Sequence, residues 1–100
     1  MRRKGIKNDI GKIEWDLLPI AETEDVIRVL MHGAKKYSSF NWQNVVSEKD
    51  GQDRYYNAAL RHIFAWRKGR KIDESGLPAL AHAGCCLLFL AWYDKNRNVK

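Results

Sequence analysis

Proline and cysteine are scarce in this sequence, and membrane-length apolar runs and strand-like alternation are missing. The two prolines, Pro19 and Pro78, mark the end of an irregular N-terminal stretch and the first turn of a late helix. The two cysteines, Cys85 and Cys86, are adjacent inside an apolar run. That spacing suits neither an ordinary structural disulfide nor a C-x-x-C metal knuckle, so they read as small buried residues. No apolar run approaches the ~18 to 20 residues that span a bilayer. Met1-Arg2-Arg3-Lys4 leads into polar residues, not the apolar region of a signal peptide. A cytoplasmic protein with no membrane partner is expected. No period-two alternation, internal repeat or low-complexity segment stands out, which leaves an all-α fold.

Helical patterning is what the sequence does contain. A chain of 100 residues with 45% apolar residues makes one domain, 1–100, with a modest core. The expected architecture is a three-helix domain that completes a helical bundle by oligomerisation. Residues 1–20 read as an arm with a short turn near Trp15 to Leu18. The first helix is expected over 23–37, with Thr23 as N-cap, Lys35 and Lys36 at the negative end of the dipole, and Val26, Ile27, Leu30, Met31 and Ala34 as its apolar face. Residues 38–53 read as a loop anchored by Phe40 and Trp42, with a turn at Asp50-Gly51. The second helix is expected over 54–68, with Tyr56, Ala59, Leu60, Ile63 and Trp66 inward and Gly69 as its stop. The third, 78–95, is apolar almost all round from Leu80 to Trp92 and should be the most buried.

The net charge is +6, from 18 Lys and Arg against 12 Asp and Glu. The cations cluster at Arg2 to Lys7, Lys35-Lys36 and Arg67 to Lys71, and such clusters attract phosphate. Arg54 and Arg61 share a helical face, and guanidinium donors match two phosphate oxygens at once. The alternative structural reading has Arg61 bonding the acidic turn after Gly69. His82, on an apolar helix, needs a partner or a ligand; His62 reads by default as a satisfied core histidine. His32, His62 and His82 are too far apart in sequence for an H-x-x-x-H motif, so zinc is not expected. Tyr37 and Trp42 are candidates to stack on a base. Asp25, Asp73 and Glu74 are the acids that would hold Mg²⁺ if the chain is catalytic, and read otherwise as helix-end and turn charges.

Several motifs then agree in order and spacing. Lys7, Asp9, Gly11 and Lys12 form K-x-D-x-G-K, followed by W-D-L-L-P at Trp15 to Pro19 and G-A-K-K-Y at Gly33 to Tyr37. Asn41-Trp42, A-x-x-R-H at Ala58 to His62, Trp66, Gly69 and S-G-L-x-x-L-A-H-A at Ser75 to Ala83 complete the series. Over nearly its whole length the chain resembles the phage-encoded dATP/dGTP diphosphohydrolase (N-terminal domain) family, related in style to the all-α MazG-like nucleotide pyrophosphohydrolases. The resemblance implies an oligomeric helical domain that binds a purine nucleotide and, in active relatives, uses Mg²⁺ to split the α to β phosphate bond. It points to Lys7, Lys12, Lys36, Tyr37, Asn41, Trp42, Arg61, His62 and His82 as nucleotide contacts.

The chain departs from the family pattern at chemically important places. Arg70 follows Gly69 where the family typically has Glu, and Ala79 stands where it typically has His three residues before His82. The turn around Asp73-Glu74 is one residue short. Glu14 occupies a commonly basic position, so Glu14 and Arg70 form either an ion pair with its ends exchanged, leaving activity intact, or the mark of a lost metal ligand. Losing that ligand to a cation repels Mg²⁺ while keeping phosphate contacts. The favoured expectation is a weakly active or inactive purine nucleotide-binding protein that sequesters a nucleotide or nucleotide-derived signal, in an anti-defence role. A Mg²⁺-dependent dATP/dGTP pyrophosphohydrolase is the alternative. A nucleic-acid-binding module ranks last, because the basic clusters are scattered and no reading helix is recognised.

Overall fold

The computed structural model describes residues 10–44 and 48–96. Lys7 and the basic cluster Arg2 to Lys7 lie outside them. The protein is all-α: three helices, α1 (Ile20–Lys36), α2 (Glu48–Arg67) and α3 (Ala79–Lys95), with single 3₁₀ turns at Trp15–Leu17 and Asn41–Gln43. Among the described residues the nearest thing to a sheet is one isolated bridge between Ile72 and Pro78. No helix among them is long and apolar enough to cross a membrane.

Helix α1 starts ahead of the expected Thr23. Pro19, with extended backbone, precedes its first residue, and the Thr23 hydroxyl donates to the Pro19 carbonyl at 2.8 Å. Thr23 therefore back-bonds within the first turn rather than capping it. Its inward face also differs from the expected one. Val29 is buried, with Val26 and Leu30 packed beside it, while Ile27 and Met31 stay exposed at 47% and 63%. The apolar residues of α1 thus wrap more than one face, and a single chain covers only the part that meets α3.

Helix α2 also begins early, and it runs straight through Asp50-Gly51, the expected turn. Gly51 is there for close approach: a Cβ would lie 2.6 Å from two ring carbons of Tyr93 on α3. Tyr56, expected inward, is 56% exposed, whereas Ala59 is buried. The stop at Gly69 is a Schellman ending. Gly69 takes φ 99°, its N–H donates to the Trp66 carbonyl at 2.9 Å, and the Arg70 N–H donates to Ala65 at 2.9 Å.

Helix α3 packs against both other helices through small residues. Ala81 and Cys85 meet Val26, Val29 and Leu30 of α1, and the Cys85 thiol donates to the Val26 carbonyl at 3.3 Å. Burial pushes Cys85 up to about 12 and Cys86 to about 11, so both remain inert thiols at neutral pH. An aromatic cluster closes the other seam. Trp42 stacks on Phe89 at 4.4 Å and meets Trp92 edge-on, and Tyr55 and Tyr93 both donate their hydroxyls to the Trp42 carbonyl, at 3.3 and 2.7 Å. This pins the α1–α2 connection onto α3. Although α3 carries most of the buried residues, Leu80, Leu87 and Leu88 on it remain about half exposed.

Candidate functional site

The end of α2, the turn after it and the start of α3 bring together residues that are far apart in sequence. Gly69 reverses the chain, and three backbone bonds shape the turn: Asp73 N–H to Leu77 O, Gly76 N–H to Asp73 O, and Ala79 N–H to Lys71 O, each 2.8 Å. Asp73 organises its interior. Its Oδ2 accepts the Ser75 N–H at 3.0 Å, and the Ser75 hydroxyl oxygen accepts the Leu77 N–H at 3.3 Å. His82, in the first turn of α3, places Nε2 2.8 Å from Ser75 Oγ and 3.4 Å from Asp73 Oδ2. His62, from α2, stacks on His82 with ring centroids 4.9 Å apart, its Nδ1 4.0 Å from Asp73 Oδ1.

The electrostatics follow from this packing. Burial lowers His62, the neighbouring His82 and Arg61 add to the effect, and Asp73 opposes it. Burial likewise lowers His82, with Asp73 opposing and His32 of α1 assisting. Asp73 is raised by burial, but the Ser75 N–H and hydroxyl and the two imidazoles outweigh that, and its net shift is downward. At neutral pH the cluster is therefore one carboxylate between two neutral imidazoles. An ionised Asp73 beside Nε2 favours the proton there, donated towards Ser75 Oγ, which leaves His82 Nδ1 as an acceptor. Such a group hydrogen-bonds a ligand or accepts a proton. Attraction for phosphate must come from cations around it, of which exposed Arg61 is next to His62 in the chain.

The profile of the family described as dATP/dGTP diphosphohydrolase, N-terminal, matches residues 2–100. The chain belongs to this family. A protein of Salmonella phage PMBT28 named dATP/dGTP diphosphohydrolase is 39% identical over 94 residues, covering 93% of this chain and 31% of the phage protein. The chain thus spans about a third of that relative's length. No solved structure matches it.

Within this family member, the described residues singled out from sequence fall into four groups. His62 and His82 meet at Asp73, with Arg61 beside them. Lys36 and Tyr37 lie at the end of α1, both exposed, with Lys36 Nζ 5.3 Å from the Tyr37 ring centroid. Lys12, on the irregular segment before the first 3₁₀ turn, and Asn41, at the start of the second, are both exposed. Trp42 is half-buried and applies its ring to Phe89 and Trp92, so that stacking surface faces the protein's own core.

The acids do not gather. Asp25 pairs with Arg28 at 3.1 Å, Asp73 faces the imidazoles, and Glu74 is exposed on the turn. Among the described residues no three His, Cys, Asp or Glu side chains are placed to hold a metal ion. The implied Mg²⁺ therefore has no ready ligand set within them.

Sequence reasoning passed over Ser75 as a partner of His82, and over the stacking of the two histidines. The first had a signal, since a D-x-S turn with a histidine seven residues further on brings hydroxyl and imidazole to one helix start. The second had none, because it depends on how α2 crosses α3.

Proposed function

We propose that the chain is a purine nucleotide-binding domain that grips its ligand at the α2–turn–α3 end and hydrolyses it slowly or not at all. The family membership supports a nucleotide as ligand. The observation that carries the emphasis on binding is the commitment of Asp73, which already accepts the Ser75 N–H and faces two imidazoles. In this reading Arg61, Lys12 and Lys36 supply charge to the phosphates, and His62 and His82 supply hydrogen bonds. Arg70 and Ala79, at positions where the resemblance leads one to expect Glu and His, support slow turnover. A nucleotide or nucleotide-derived signal held intact is withdrawn from use, which in the host cytoplasm would serve phage anti-defence.

Calorimetric titration with dGTP and dATP is expected to show binding, and pyrophosphate release with Mg²⁺ to stay near background. Brisk release would overturn the binding reading in favour of the second one, a Mg²⁺-dependent dATP/dGTP pyrophosphohydrolase. The phage relative's name, dATP/dGTP diphosphohydrolase, favours that reading. It requires Asp73→Asn to abolish turnover.

A further inference from the structure

The short connection from α1 to α2 holds one residue that neither packing nor backbone preference accounts for. Phe40 adopts φ 61° and ψ 18°, the left-handed region, and among the described residues it is the one non-glycine with positive φ. A bulky side chain there is an outlier, since glycine or asparagine enters that region far more easily. Phe40 is also 66% exposed, and Tyr37, three residues earlier, is 65% exposed. Phe40 therefore combines an unfavourable backbone with an unfavourable surface, and gives the core little in return.

What holds it there is close by. Trp42 is clamped between Phe89, Trp92 and the two tyrosine hydroxyls on its carbonyl, and the Gln43 N–H donates to the Phe40 carbonyl at 3.0 Å. The Asn41 N–H closes the turn onto Ser38 at 3.2 Å. With the loop anchored through Trp42, the backbone at Phe40 is held in this conformation and the residue stays exposed. Four residues earlier in the chain, Lys36 carries an ammonium over the Tyr37 ring. An aromatic face next to a cation is the pairing that a nucleotide, with its base next to its phosphates, complements. Strain maintained by surrounding structure is characteristic of ligand-contacting positions.

We propose that the strained, exposed Phe40, on the Trp42-anchored turn that follows Lys36 and Tyr37 in the chain, is the stacking platform for the purine base. This deepens the nucleotide-binding reading and rests on it. Trp42, the residue whose type first suggests stacking, acts as the anchor, and Phe40 makes the contact.

The test compares wild type, Phe40→Gly and Phe40→Trp for affinity towards dGTP and towards inorganic tripolyphosphate, with thermal midpoints alongside. Loss of a base stack is expected to weaken dGTP binding about tenfold or more in Phe40→Gly, with tripolyphosphate binding changed by less than about twofold. The thermal midpoint should hold or rise, because glycine relieves the backbone, and Phe40→Trp should keep dGTP affinity. Equal dGTP affinity in Phe40→Gly, parallel loss of both ligands, or a lower midpoint accompanying the loss would each overturn the proposal. A wild type that binds tripolyphosphate and dGTP equally well would also overturn it while sparing the phosphate grip. A wild type that binds neither would remove the nucleotide-binding reading itself.

Discussion

Asp73 is the residue through which the site and the fold communicate. Its carboxylate fixes the Ser75 turn and faces both imidazoles, so its charge and theirs are linked to folding. The direction of that linkage follows from the shifts. His62 and His82 are lowered from 6.5, so below that value the unfolded chain takes up protons that the folded chain resists. Stability should therefore fall as pH drops below about 6.5. Asp73, lowered from 3.8, adds stability above that value which is lost as pH falls further, through its folded value. Thermal midpoints measured from pH 7.5 downward should decline first in the histidine range, and His62→Gln with His82→Gln should flatten that first decline. A midpoint that is level from pH 7 to pH 5 in the wild type would contradict this account of the cluster.

At the scale of the helices, two glycines separate what could be read in advance from what could not. Gly69 was legible as a helix stop, because the signal is local: a residue able to take positive φ after a periodic run, followed by a basic turn. Gly51 was read as a turn for the same local reason, next to Asp50, yet it lies inside α2. What decides its role is the ring of Tyr93, which the sequence places on another helix and only packing brings near. The same limit hid the approach of His62 to His82. Periodicity located the helices but misjudged where two of them begin, since Pro19 and the Gly51 approach both favour starts that propensity alone does not mark.

The contrast can be measured through Gly51 and Gly33. Gly33, in α1, has open space where a Cβ would be, so Gly33→Ala should gain helix propensity of about 0.5–1 kcal/mol. Gly51→Ala gains the same propensity but drives Tyr93 aside, and overpacking of this kind costs about 1–3 kcal/mol. Tyr93 is 5% exposed and holds the Trp42 carbonyl at 2.7 Å, so little room exists for relief. Urea unfolding should show Gly33→Ala more stable than wild type and Gly51→Ala less stable. A stabilised Gly51→Ala would mean that the α2–α3 approach leaves room for a Cβ beside Tyr93.

For the whole molecule, the proportion of apolar surface left outside is the feature that a single chain leaves unexplained. Leu80 and Leu87, two helical turns apart, share one face of α3 and are 47% and 54% exposed. Ile20, Ile27 and Met31 recur at spacings of seven and four along α1 and are 67%, 47% and 63% exposed. Completing the burial of such a side chain contributes up to about 1.5–3 kcal/mol, so covering both stripes has a substantial driving force. We propose a second copy of the chain as the cover, giving a homo-oligomer in which α1 and α3 stripes are buried between protomers. Light scattering should then report a multiple of 11.6 kDa. Leu80→Lys combined with Leu87→Lys should shift the mass towards one chain while circular dichroism keeps its helical signal. A wild type that stays at the mass of one chain at high micromolar concentration would refute the assembly, and a double variant that keeps the oligomeric mass would refute this choice of face.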